Sequence, residues 1–249
     1  MHGKVILMKK NKITFFVVLA ILFLQNIYIY AETDSSMSVF DQDISFENEI
    51  VADPLQPYNR FIASVNDKMY FWALKPVATG YSAVLPEQPR IGIRNFFHNL
   101  TFPIRFVNSI LQFKFEKAGI EIARFVINST MGIAGLADPA KSCFCIETTD
   151  EDFGQTLGFY KIGSIFHIEW PFLGPSNLRD SIGYVGDWFL NPINYLPNMW
   201  VIYGIHIFEK LNNISLHLGD YEKLKKESLD YYLNIRDSYE QLRKKEIKE

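Results

Sequence analysis

Cysteine is nearly absent: Cys143 and Cys145 are the only two among 249 residues. Standing one residue apart, they can close only a very small, strained disulfide ring, and the neighbourhood supplies no further ligands for a metal. They read as a local disulfide or as free thiols in a surface loop, with no catalytic part. The phosphate-cradling Gly-x-x-x-x-Gly-Lys-Ser/Thr loop is missing, so any step this chain performs is downhill or driven elsewhere. No Gly-x-Ser-x-Gly elbow occurs either, because Gly163-Ser164-Ile165 does not continue correctly. The histidines His2, His98, His167, His206 and His217 never take His-Glu-x-x-His spacing, and His167 reads as a packing or interface residue rather than a general base. Excess positive charge is lacking as well: 25 Lys and Arg stand against 28 Asp and Glu, a formal net charge of -3. Nonspecific binding of nucleic acid or of anionic lipid headgroups is therefore disfavoured. The expectation is a protein with no enzymatic site, metal or cofactor.

What is present begins with an export signal over residues 1–31. Lys9, Lys10 and Lys12 form a basic segment, Ile13 to Leu24 an apolar one, and Ala31 a small residue at a cleavage point. Gln25 and Asn26 interrupt the apolar run, which favours cleavage over an uncleaved membrane anchor. No cysteine follows the run, so a lipid anchor on an N-terminal cysteine is not expected. All four lysines before residue 32 would leave with the signal, making the remaining chain more acidic still. Residues 32–52 hold six acids and no Lys or Arg, the pattern of a flexible, solvated leader. The folded unit is expected over residues 53–249 as a single domain, with 48% hydrophobic residues and 15% aromatics to build it.

From Asp53 onward the pattern is mostly helical. Asp53-Pro54 forms a turn into a helix expected to run to about Leu74, with Pro76 stopping it. A short helix is expected over 90–99, and Thr101-Phe102-Pro103 restarts one with proline in its first turn. Positions 115, 118, 119, 122, 123 and 126 repeat at i, i+3, i+4 and i+7, which gives one apolar face. Ala118, Gly119 and Ala123 lie on it, so close contact with another helix is expected there. At the C-terminus Tyr231, Ile235, Tyr239 and Leu242 share a helix face that runs into a basic tail, Arg243-Lys244-Lys245.

Residues 152–187 differ from the rest, with glycines at 154, 158, 163, 174, 183 and 186 and aromatics between them. Phe166 to Trp170 alternates apolar and polar, which reads as a short extended segment ended by Pro171. Asn177 can cap a helix with Asp180 at its third position. Arg179 and Asp180 are read as an ion pair and cap that fix this helix start, with polar groups facing a lipid path as the sharper alternative. Asn59 and Arg60 carry the same two readings.

The blocks D-P-L-Q-P-Y-N-R at 53–60, K-P-V-A at 75–78, R-N-F-F-H-N-L at 94–100, R-F-V-I-N-S-T-M-G-I-A-G-L-A-D-P-A at 124–140, F-G-Q-T-L-G-F-Y at 153–160, P-F-L-G-P-S-N-L-R-D at 171–180 and S-L-D-Y-Y-L-N-I-R-D-S-Y at 228–239 together resemble the VacJ/MlaA family. The resemblance implies an all-α, ring-like arrangement of amphipathic helices with glycine- and aromatic-rich turns and at most a short extended segment. It implies an exported protein on the periplasmic face of the outer membrane, lying in the inner leaflet. Such a protein takes mislocalised phospholipid from the outer leaflet through a polar channel and passes it to a soluble periplasmic carrier while bound to a trimeric porin. Family members commonly carry a lipobox cysteine, which this sequence lacks; in-plane helices can hold a protein in a leaflet without an acyl chain. The glycine-aromatic stretch is the candidate for shaping the channel or its mouth, and Asn59, Arg60, Arg179 and Asp180 are the candidate channel or structural residues. The alternatives are a non-translocating helical scaffold docked on a porin through the tyrosine-rich C-terminal helix and, less favoured, a phospholipase.

Overall fold

The computed structural model describes residues 51–249, so the export signal and residues 32–50 of the acidic leader lie outside the described residues. The domain opens with helix α1 (Gln56–Met69), a π-turn (Tyr70–Leu74) and helix α2 (Lys75–Val84), one rod without a break. Pro76 does not stop it. A proline ring collides with the carbonyl one α-turn back, and the wider π-turn before Pro76 opens that spacing, with the Lys75 amide donating to Tyr70. Helices α3 (Glu87–Leu100), α4 (Phe102–Leu111) and α5 (Phe115–Thr130) follow, then the short α6 (Pro139–Ser142) and α7 (Phe153–Phe159).

The glycine-aromatic stretch then makes an antiparallel hairpin, β1 (His167–Trp170) with β2 (Gly174–Asn177), in the register His167 to Asn177. Helix α8 (Leu178–Leu190), a 3-10 turn (Pro192–Tyr195), α9 (Met199–Leu216), α10 (Asp220–Glu227) and α11 (Tyr231–Lys248) complete the chain. Side chains of Asp138, Asp152, Asn177, Asn191, Asn198 and Asp230 accept from amides in the first turns of the elements they precede. Each satisfies a donor that a helix start leaves open.

The packing partners form a closed circuit. Helix α1 packs on β1, the hairpin on α8 and α11, α8 on α7, α7 on α4, α4 on α5, α5 on α3, α3 on α9, and α9 on α2, which returns to α1 through the π-turn. Where α7 crosses α8 the backbones nearly touch: a Cβ on Gly183 would lie 2.5 Å from the Gly154 nitrogen and 2.8 Å from its Cα. Glycine is needed there for close approach.

Polarity runs opposite to that of a water-soluble globule. Among the described residues, buried polar and charged side chains outnumber buried hydrophobic ones about two to one. Helix α5 illustrates the rule. Its Glu121, Arg124 and Asn128 point inward and are buried, whereas Phe115, Ile122 and Val126 on the expected apolar face are exposed. The predicted close contact at Gly119 is absent among the described residues, because a Cβ there would meet none of their atoms within 4 Å. Helices α8 and α9 repeat the pattern, with Ile182, Val185, Trp188, Phe189, Trp200 and Ile207 exposed over buried Arg179, Asp180, His206 and Lys210. A small apolar cluster of Tyr70, Ala78 and Ile214 locks the π-turn to α9.

Gly183→Ala should destabilise the fold by about 1–3 kcal/mol, the usual cost of forcing a methyl group into packed backbone, whereas Gly119→Ala should be neutral or slightly stabilising. Thermal unfolding of the two variants side by side checks this.

Candidate functional site

Interior polarity is concentrated where the C-terminal helix α11 meets the hairpin and the start of α8. Asn177 ends β2 and caps α8, its Oδ1 accepting from the Asp180 amide at 2.8 Å. That places the Asp180 carboxylate at the third helical position, facing inward. Four side chains reach it: Tyr239 Oη at 2.7 Å, Asn177 Nδ2 at 2.9 Å, Arg179 Nε at 2.9 Å and Arg243 Nε at 3.0 Å. The Arg243 guanidinium spans to the cap of a second helix, donating to Asp152 at 2.7 and 2.8 Å, and to Glu246 at 2.8 Å. One cation therefore ties α11 to the starts of both α7 and α8.

Burial works against ionised Asp180, but Arg243, with Arg179 behind it, outweighs burial and holds the carboxyl well below the usual carboxylate range. Burial pushes Glu246 up to about 7 despite Arg243, with Asp152 adding repulsion. Asp187 is likewise driven well up by burial and by Asp152, while Asn108 donates to it at 3.0 Å.

The other half of α11 is fastened from the entry of α1. Asp53 accepts from Asn59 at 2.8 Å, from the Tyr232 hydroxyl, and from Arg236 at 3.4 Å. Asn59 is fully buried and uses its amide twice more on β1, donating to the His167 carbonyl at 3.1 Å and accepting from the Glu169 amide at 2.8 Å. Arg60 is bidentate to Asp230, the cap of α11, at 2.8 and 3.2 Å, with both side chains about two-fifths exposed. The four residues singled out in the sequence thus lie apart, Arg179 and Asp180 in one cluster and Asn59 and Arg60 in another. Each cluster bonds to α11 or to the hairpin beneath it.

Sequence reasoning missed Arg243, which is buried rather than part of a basic tail. The signal was the helical stripe Tyr232, Arg236, Tyr239, Arg243, at i, i+4, i+7 and i+11. Also missed were two inward ion pairs that hold the opposite arc, Arg105 to Glu121 at 2.7 Å and Arg124 to Asp138 at 2.8 Å. Glu151, also buried, takes Lys114 and Lys117 at 2.8 Å each and Gln112 at 2.6 Å.

Hydroxyl, imidazole and carboxylate come together at Thr148, His98 and Asp150. Thr148 Oγ1 and Asp150 Oδ1 both approach the same nitrogen, His98 Nε2, at 3.2 and 3.3 Å. A nucleophile relay needs the base bonded through one nitrogen and oriented through the other, so this trio is not arranged as one. Cys143 and Cys145 are unpaired and exposed. Among the described residues no group of three or more His, Cys, Asp and Glu side chains is placed to hold a metal ion.

Residues 51–246 match the family model described as MlaA lipoprotein. The intermembrane phospholipid transport system lipoprotein MlaA of Escherichia coli (strain K12) is 29% identical over 200 residues, covering 76% of this chain and 75% of that protein. Its counterpart in Haemophilus influenzae is 26% identical over 199 residues, with 76% of each chain covered. An uncharacterized protein of Rickettsia bellii is 29% identical over 198 residues, covering 79% of this chain and 77% of its own. A solved structure, from work on the structural basis for maintenance of bacterial outer membrane lipid asymmetry, superposes with a TM-score of 0.70 at 30% identity. It covers 79% of this chain and 99% of that one.

Arg243→Ala leaves Asp180 and Asp152 buried without their shared cation, and should cost about 3–5 kcal/mol of stability. Because the folded Asp180 carboxyl is held low, its stabilisation is present above about pH 4 and is lost as the pH falls through the lower folded value. Acid unfolding should therefore move to higher pH in Asp180→Asn, measured by circular dichroism across a pH series.

Proposed function

This chain belongs to the MlaA lipoprotein family, and on that basis we propose that it is an outer-membrane-associated phospholipid transport protein that maintains lipid asymmetry. It takes mislocalised phospholipid from the outer leaflet through a polar channel, hands it to a soluble periplasmic carrier, and sits beside a trimeric porin. The observation that supports this best is the inverted polarity of a closed circuit of helices, ionic within and apolar without. A phospholipid changing leaflets needs a polar route for its headgroup while its tails stay in hydrocarbon. Backbone at membrane depth must satisfy its own hydrogen bonds, which favours helices. Among the described residues no helix is long and apolar enough to cross a membrane, so the exposed apolar surface is read as lying in the plane of one leaflet.

In this reading Asn59, Arg60, Arg179 and Asp180 are fasteners rather than lipid contacts. Three of them are buried, and each is bonded to a partner within the protein, Asn59 to Asp53, Arg60 to Asp230, Arg179 to Asp180 and Asp180 to its cap Asn177. The scaffold alternative is weakened by the C-terminal helix, whose Tyr232, Ile235, Tyr239 and Arg243 are buried against its own domain. An enzymatic role is disfavoured by the geometry of His98, Thr148 and Asp150.

The test is complementation of a strain lacking its own copy, scored as outer-membrane resistance to detergent with chelator. It is paired with a labelled-lipid assay in which phospholipid leaves the outer leaflet with its acyl chains intact. Released fatty acid, or resistance restored without lipid movement, overturns the reading. Ile122→Glu with Val126→Glu should leave thermal stability in detergent unchanged yet reduce membrane association. A charge held at bilayer depth costs about 2.5–3.5 kcal/mol, and vesicle flotation reads the loss.

A further inference from the structure

His167 is fully buried on β1, and its two ring nitrogens face carboxylates on opposite sides. Nε2 is 3.7 Å from Glu169 on the same strand, and Nδ1 is 3.8 Å from Glu240 on α11. Those are ion-pair separations, longer than hydrogen bonds, and among the described residues neither nitrogen nor Glu169 Oε2 has a hydrogen-bond partner. The rings of Tyr232 and Tyr239 wall the imidazole from the α11 side at 6.2 and 6.3 Å.

The surrounding charges are already committed. From α11, Arg236 turns to Asp53 and Asp237, and Arg243 to Asp180 and Asp152, with Lys244 one turn beyond Glu240. From the entry of α1, Asn59 is spent on the β1 backbone and Asn66 donates to Glu169 at 3.0 Å, while Tyr58 lies near enough to feel the Glu169 charge. From β2, Asn177 reaches Glu240 at 3.3 Å. The imidazole is the switchable cation set between the two glutamates.

We propose that His167 is a proton-operated latch between the hairpin and the C-terminal helix. Protonated, it gives Glu169 and Glu240 one shared counter-ion, which works against the burial that pushes the Glu169 carboxyl up; deprotonated, it leaves both elements without that cation, and α11 loosens from β1. Burial alone lowers the basicity of the ring, but Glu169 and then Glu240 outweigh it, so the ring titrates above its ordinary value. A raised value in the folded state means the stabilisation is complete below about pH 6.5 and is lost as the pH rises through the folded value. This runs opposite to the acid-sensitive Asp180 cluster in the same interface, and it stands whether or not the chain moves lipid.

Hydrogen exchange of the purified full chain in detergent micelles tests the latch, with rates corrected for the intrinsic pH dependence of exchange. Between about pH 6 and pH 9, protection of α11 amides around Tyr239 and Glu240 should fall about tenfold, which corresponds to about 1.4 kcal/mol of lost stabilisation. His167→Gln should show the low protection at every pH, and Glu240→Gln should flatten the profile. A wild-type profile independent of pH, or the wild-type slope surviving in His167→Gln, overturns the proposal. Should His167→Gln fail to fold, side-chain nitrogen NMR of the wild type decides: a doubly protonated ring at about pH 7 supports the latch, and a neutral one overturns it.

Discussion

A single buried guanidinium, that of Arg243, meets carboxylates from the starts of two different helices, and it fastens the C-terminal helix across their crossing. Removing two charges from water is costly, and attraction repays the cost only when geometry is good and the remaining hydrogen-bonding positions are filled. Here they are: Asp180 accepts from Tyr239, Asn177, Arg179 and Arg243 together. The local caps matter to this arrangement, because Asn177 and Asp152 set the helix starts whose first turns aim the carboxylates inward. Backbone capping and tertiary closure use the same side chains.

The opposite arc applies the same logic with different residues. Arg105 joins α4 to α5 through Glu121, and Arg124 joins α5 to the loop before α6 through Asp138. With so little apolar surface inside, pairs of ions and amides take over the role that leucine and valine have in a soluble bundle. The glycine pair at the α7–α8 crossing belongs to this economy, since close backbones shorten the reach from Arg243 to both carboxylates.

Local chemistry was legible in the sequence; orientation was not. The cap at Asn177, the extended run ending at Trp170 and the helix over 115–130 follow from side-chain type and spacing, and all are present. Helical period says that Phe115, Ile122 and Val126 share a side, yet it does not say whether water, protein or lipid lies beyond it. The opposite stripe of Glu121, Arg124 and Asn128 carries the same period and is the buried one. The stop expected at Pro76 fails for a related reason: a proline forbids an ordinary α-turn, and a π-turn relieves that conflict without ending the rod. Of the candidate residues, the helix-start role of Asp180 was readable from its offset to Asn177. Its bond to Arg243, 63 residues away, was not.

The exposed aromatic and branched side chains of α5, α8 and α9 also set the thermodynamics of unfolding. The large heat-capacity increase that accompanies unfolding of soluble domains arises from apolar surface newly meeting water. A chain that already presents much of that surface when folded has less left to uncover. Its stability curve against temperature is correspondingly shallow, changing little across the range in which a soluble domain of this length would pass through a steep maximum.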